Sequence, residues 1–287
     1  MSQGYYGQPG PGMGMYERPR SGIPMRLVLA AIIVVMSVIS YYSKSVVNPV
    51  TGVKQHIDLN PQQETQLGLK AVPEMAAQNG GEVHDQRFAN VEAVGRRIVA
   101  NSDASRSPYH YDFHLLNNEQ TVNAFALPGG QVFITTGLYD KLSTEGELAG
   151  VLGHEIGHVV ARHGAEQLAK QRLTQGMAGA AVIATTDPNN PASQRNAAVA
   201  MAVAQLVNLK FGRNDELQAD QLGLRFMSES GYDPRSMIKV MELLEKVGGS
   251  GPSEFFSTHP NPPHRIELIK EHIAEMFPSG VPDGLRP

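Results

Sequence analysis

The sequence predicts an α+β fold, mainly helical with a small β-sheet, preceded by one apolar helix near the N-terminus. Three observations carry this. Two segments between Asn60 and Ala100 space their apolar residues at helical intervals, short β-branched runs flank Pro128-Gly129-Gly130, and the pattern beyond Leu138 is helical almost throughout. Of the 287 residues, 41% are hydrophobic and 18% charged, enough to bury one sizeable core. The net charge of -4, with no cluster of Lys and Arg, argues against a nucleic-acid partner. The chain has no cysteine, which excludes disulfides, thiol nucleophiles and thiolate metal sites. Any metal must then be held by histidines and carboxylates.

Residues 1–24, rich in Gly, Pro, Tyr and Gln, read as a flexible tail. Residues 25–43 read as a transmembrane anchor: Leu27 to Ser43 carries no charge, and at about 1.5 Å per residue it just spans a bilayer. A cleaved signal peptide and a buried core helix are the alternatives; the long preceding tail and the lack of a small-x-small cleavage site speak against the first. Arg18, Arg20 and Arg26 precede the run and only Lys44 follows closely. That bias puts the N-terminus in the cytoplasm and the main domain outside; bacterial envelope and organelle membrane are both open, and the periplasmic side of a bacterial inner membrane is favoured by simplicity.

Residues 44–59 read as an extended linker around Asn48-Pro49, before a main domain of residues 60–277 and a tail of residues 278–287. Asn60 is an N-cap and Pro61 the first helical residue of a helix; a second runs from Asp85 to Ala100 with Phe88, Val91, Val94 and Ile98 on one face. Tyr109 to Leu115 and Gln131 to Thr135 are expected strands. Between them Asn123 to Ala126, ending at the Pro-Gly-Gly turn, is either an available sheet edge or an ordinary core hairpin. Breaks are expected at Asp187–Pro191 and in the Gly/Pro/Ser-rich stretch from Gly248 to Pro263.

The chemistry is carried by His154-Glu155-Ile156-Gly157-His158, in a stretch with helix-start signals at Ser143 and Glu145 to Glu147. Histidines four residues apart on a helix differ by about 40° around the axis, so both imidazoles can reach one Zn²⁺. Glu155 beside them can take a proton from the attacking water as general base. A third ligand is needed. A downstream histidine of the H-E-x-x-H-x-x-G-x-x-H type is excluded, because Ala161 and Gly164 stand where Gly and His would be required. His163 would lie about 180° around a continuing helix and is expected as a surface or core residue. Glu216 and Asp220, one turn apart, are better candidates: the first completes the coordination and the second orients a ligand histidine.

With these motifs on the page, the chain resembles the zinc metallopeptidase family that includes HtpX-like, BepA-like, OMA-type and CAAX prenyl endopeptidases. The resemblance covers about Leu115 to Arg265 and rests on Asn123 to Gly130, His154 to His158, Arg213 to Asp220, and Ser257-Thr258-His259-Pro260 followed by Arg265. It implies a gluzincin fold with one zinc per subunit held by His154, His158 and Glu216, Glu155 as base and Asp220 behind a ligand. It also implies that His259 is catalytic, stabilising the oxyanion or capping the metal, and that Asn123, Ala124 and Phe125 bind an extended peptide along the strand edge. Arg213 and Arg265 are expected in structural salt bridges, and Gly157 in close packing. The Gly176–Ala184 and Ala197–Val207 runs are too short to cross a bilayer, unlike the corresponding regions of multi-pass members.

The expected function is a membrane-anchored zinc metalloendopeptidase acting on unfolded or damaged proteins. A zinc-stabilised chaperone that holds clients without cutting them is the rival; a metal-dependent hydrolase of non-peptide bonds is a third reading, disfavoured by the strand edge.

Overall fold

The computed structural model describes residue 1 and residues 25–185, 210–248 and 254–287. The expected tail of residues 2–24, the Asp187–Pro191 break and the Ala197–Val207 run lie outside the described residues.

Helix α1 spans Met25–Ser43, and two short strands follow, β1 (Ser45–Val47) and β2 (Lys54–His56). They pair antiparallel with Val46 opposite Gln55, so the expected extended linker is a hairpin. Its residues have work elsewhere in the fold: Asn48 Nδ2 donates to the Val160 carbonyl at 2.7 Å and Gln55 Nε2 to the Ala161 carbonyl at 2.6 Å.

Helix α2 (Pro61–Gln78) starts as expected, with Asn60 accepting from the Gln63 N–H and Gln63 accepting from the Asn60 N–H, both at 2.9 Å. Helix α3 (Gln86–Ala100) is capped by Asp85, which accepts from the Arg87 N–H at 2.8 Å, and buries Val91, Val94 and Ile98. Strands β3 (Asp112–Leu116), β4 (Ala124–Leu127) and β5 (Gln131–Thr135) form one sheet in the order β3-β5-β4. The central β5 is parallel to β3, antiparallel to β4 and buried along its length. Strand β4 is therefore an edge. Gly129 (φ 89°) and Gly130 (φ 107°) make the turn into β5, and Gly68 lets α2 press onto the Pro128 carbonyl, leaving no room for a Cβ.

Short α4 (Thr136–Tyr139) leads to α5 (Glu145–Val160), the central helix, buried on all sides. After α6 (His163–Thr185) come α7 (Arg213–Glu229), α8 (Ser236–Gly248), α9 (Glu254–Thr258) and α10 (Arg265–Met276). α5 and α7 pack through glycine: a Cβ on Gly157 would stand 2.9 Å from the Ala219 carbonyl oxygen, and one on Gly223 3.0 Å from the His154 nitrogen. This is the close approach expected of Gly157. Residues 278–287 are not a loose tail, since the Arg286 carbonyl accepts from Asp233 N–H at 2.8 Å and the Pro287 carbonyl from Gly146 N–H at 2.8 Å.

Helix α1 lies along α6, with Gly176 against Ser37. Its outer face exposes Ile32, Val35, Met36 and Ile39. Among the described residues no helix is long and apolar enough to cross a membrane, so the expected transmembrane span is not supported. The uncharged run of α1 rises about 25 Å, against a hydrocarbon core of about 30 Å.

Candidate metal centre and active site

Thr144 caps α5 by accepting from the Glu147 N–H at 3.2 Å, while Glu147 reaches back to accept from Ser143 N–H at 2.7 Å. The helix so fixed brings His154 Nε2 and His158 Nε2 to 3.1 Å from each other. α7 supplies Glu216, whose Oε2 is 3.4 Å from His154 Nε2 and whose Oε1 is 3.5 Å from His158 Nε2. From the end of α9 comes His259, its Nδ1 3.1 Å from Glu216 Oε1 and 3.4 Å from His154 Nε2. These four side chains, all buried, each offer a donor atom within 4.8 Å of the others.

The donor set fits zinc. Four ligands at about 2.0–2.1 Å around a tetrahedral ion stand roughly 3.3 Å apart, close to the separations seen here. Buried polar atoms that make no hydrogen bond within the protein also gather at this spot: both oxygens of Glu155 and His259 Nε2. Such atoms are costly in a folded interior unless something polar meets them. Glu155 sits beside the cluster, with Oε1 3.7 Å from His259 Nε2.

Each histidine on α5 has a different second contact. His154 Nδ1 meets Asp220 Oδ1 at 2.9 Å, and Asp220 is gripped by Arg265 through Nε at 2.7 Å and Nη2 at 2.8 Å. Arg265 also pairs with Glu216 at 3.2 Å. Its expected structural ion pairing is thus present, whereas Arg213 lies exposed and joins no ion pair among the described residues. His158 Nδ1 meets His163 Nδ1 at 3.0 Å, and His163 Nε2 meets Gln218 Oε1 at 2.8 Å. His163 is 1% exposed, touching the cluster, which corrects the expectation that it faces away. The reason is local: α5 ends at Val160, Arg162 takes a left-handed φ of 58°, and the chain doubles back. A non-glycine residue adopts that conformation only when its surroundings hold it. Here Glu64 takes the buried guanidinium, the Leu59 carbonyl accepts from it at 2.9 Å, and Tyr109 donates to Glu64 at 2.8 Å.

Two aromatic rings wall the cluster. Phe211 stacks on His158 with ring centroids 4.0 Å apart, and Phe255 on His259 at 4.5 Å. Neither was signalled by the sequence, because an isolated phenylalanine carries no spacing rule.

Burial and charge set the protonation states. Burial pulls His154 down, yet its contacts with Asp220 and Glu216 push it up to about 9. Burial holds His158 well below the usual histidine range. Burial raises the Glu155 carboxyl, with His259 and His154 pulling the other way. Glu216 is held well below the carboxylate range: burial opposes this, but the charge of His259 and hydrogen bonds from His154 and His259 prevail.

A cavity of about 420 Å³ opens beside the cluster, lined among others by Met75, Asn123, Phe125, Leu127, Phe211 and His259. Asn123 is buried with Oδ1 unpartnered, Ala124 is fully buried and Phe125 half-buried. The Asn123 carbonyl accepts from Thr135 N–H at 3.0 Å, so by the alternation of an antiparallel ladder the main-chain groups of Ala124 and Ala126 turn outward, away from β5.

The sequence profile of peptidase family M48 matches residues 85–273. The chain is 32% identical over 238 residues to the beta-barrel assembly-enhancing protease of Yersinia pestis, covering 80% of this chain and 48% of that protein. It is 36% identical over 157 residues to the mitochondrial metalloendopeptidase OMA1 of Arabidopsis thaliana, covering 55% of this chain and 30% of the relative. With OMA1 of Schizosaccharomyces pombe the identity is 30% over 236 residues, covering 79% and 66%. The chain spans half or less of the length of the first two.

Proposed function

This chain belongs to peptidase family M48, the zinc metallopeptidases of the beta-barrel assembly-enhancing protease and OMA1 type, and from that premise we propose a zinc metalloendopeptidase that cuts unfolded or damaged polypeptides at a membrane. One observation carries the reading: a buried carboxylate that makes no hydrogen bond within the protein, Glu155, stands beside a converging His154, His158 and Glu216 donor set.

In this reading His154, His158 and Glu216 hold zinc, and Asp220, braced by Arg265, fixes the ring of His154. Zinc held there supplies Lewis-acid chemistry, polarising the scissile carbonyl and lowering the pKa of the attacking water. Glu155 takes the proton from that water as the oxygen attacks the carbonyl carbon, then gives it to the departing amine nitrogen as the C–N bond breaks. Burial, by raising its carboxyl, suits it to both halves of that transfer. An extended substrate adds to the open edge of β4, meeting the outward main-chain groups of Ala124 and Ala126, with the side chains of Asn123 and Phe125 lining the cleft beside it. His259 stands in the ring of donors and so closes the resting site as a fourth ligand.

The catalytic domain of residues 60–277 carries the β1–β2 hairpin docked on it, and α1 serves as its anchor. The exposed apolar side chains of α1 form a surface suited to lipid. The excess of arginine before it supports a cytoplasmic N-terminus and a periplasmic catalytic domain, in which the enzyme serves protein quality control. Carbonate extraction of membranes and protease accessibility in spheroplasts test this placement.

The test of the reaction is cleavage of casein by the zinc-loaded full chain beside Glu155→Gln, with metal measured in both. Cleavage by the wild type alone, with similar zinc contents, supports the peptidase and the base. The four-donor closure also favours a second reading, a zinc-stabilised chaperone, which gains if both proteins hold zinc, bind clients and cut nothing.

A further inference from the structure

His163 has no part in the reaction as described, yet it is buried against His158. We propose that His163 is a positioning residue for the metal site, fixing the tautomer and ring plane of His158 through a relay that ends on Gln218. The inference rests on His158 being a zinc ligand.

Two imidazole nitrogens 3.0 Å apart form a hydrogen bond only if one carries a proton and the other a lone pair. A zinc ligand His158 turns its Nε2 lone pair to the cluster and so carries its proton on Nδ1; His163 then holds its own proton on Nε2, which faces the Gln218 side-chain amide, an oxygen acceptor in this orientation, at 2.8 Å. Its Nδ1 is left as acceptor and takes the Nδ1–H of His158. The Nε2 lone pair of His158 then points at His154 Nε2 and Glu216, where the donors converge. The opposite tautomer would aim an N–H into the donor cluster and set two lone pairs against each other at Gln218.

A neutral partner suits this place. With a divalent cation bound, the buried charges of Arg265, Glu155, Glu216 and Asp220 already cancel it, and a second carboxylate behind His158 would leave the site with an uncompensated charge. The two ligand histidines are thus oriented by different chemistry, His154 by a carboxylate and His158 by an imidazole relay. The left-handed turn at Arg162 makes the relay possible, since it returns the chain toward α5.

Asn at 163 offers an amide oxygen where His offers Nδ1, whereas Ala offers nothing. On the full chain, zinc affinity by chelator competition should fall about 10- to 100-fold in His163→Ala, and stay within about threefold of wild type in His163→Asn. The absorption spectrum of the cobalt-substituted protein should change in the Ala variant and not in the Asn variant. Wild-type affinity and spectrum in His163→Ala would overturn the proposal. So would equal losses in both variants matched by equal falls in the melting temperature of the metal-free protein, which would mean packing alone. A wild-type chain that takes up neither metal overturns it outright. A chain that binds zinc but cuts no protein leaves this inference standing and removes the peptidase reading.

Discussion

Asn48 donates its side-chain amide to the carbonyl of Val160, the last residue of the helix that bears the two metal-facing histidines, at 2.7 Å. Helix ends leave carbonyls without partners, and in a buried setting those must be met from elsewhere in the chain. Here the partner lies more than a hundred residues away. Asn48→Ala should lower stability by about 1–3 kcal/mol, the cost of stranding a buried acceptor. Urea unfolding of the metal-free protein measures it; an unchanged midpoint would mean that the hairpin only rests on the helix.

Gly157→Val should be more damaging than its small size change implies. The new side chain enters where even a Cβ would be 2.9 Å from the Ala219 carbonyl oxygen, and α7 must shift. A loss of about 1–3 kcal/mol is expected from overpacking alone. Because α7 also carries Glu216 and Asp220, zinc affinity should fall with it, and Gly157→Ala should show both effects more weakly.

His259→Ala should raise casein cleavage several-fold. Its Nδ1 shares the donor ring with Glu216 and His154, and catalytic zinc sites keep a position open where structural ones are closed. If activity instead drops about 10²- to 10³-fold with zinc retained, His259 is a hydrogen-bond donor to the transition state.

Zinc uptake should release about one proton at neutral pH. Without metal His154 is held near 9, so it is charged at pH 7, while His158 is neutral and Glu216 ionised. The sign follows: affinity rises as pH rises, by about tenfold per unit, and levels off near pH 9. Calorimetry at pH 7 in two buffers of different ionisation enthalpy counts the proton; identical heats in both would contradict it.

The helical period made His154, Glu155 and His158 legible from spacing, and Glu216 and Asp220 followed because a second acidic pair shares one face. His163 was missed because the period was carried past Ala161, and nothing in Ala161-Arg162-His163 announces a left-handed residue; glycine or asparagine would have. The hairpin at Ser45–His56 was hidden for another reason. Three-residue strands are too short for alternation to register, and their support comes from the distant C-terminal end of α5. Capped helices such as Pro61–Gln78, by contrast, write their starts into adjacent residues.

The donors are also strung out in time. His154 and His158 emerge from the ribosome well before Glu216, and His259 later still. At about 5–20 residues per second the third donor trails the second by roughly 3–12 seconds. A half-made chain thus holds two imidazoles and no finished donor set, and the four donors can meet only after Thr258 has been added and His259 follows.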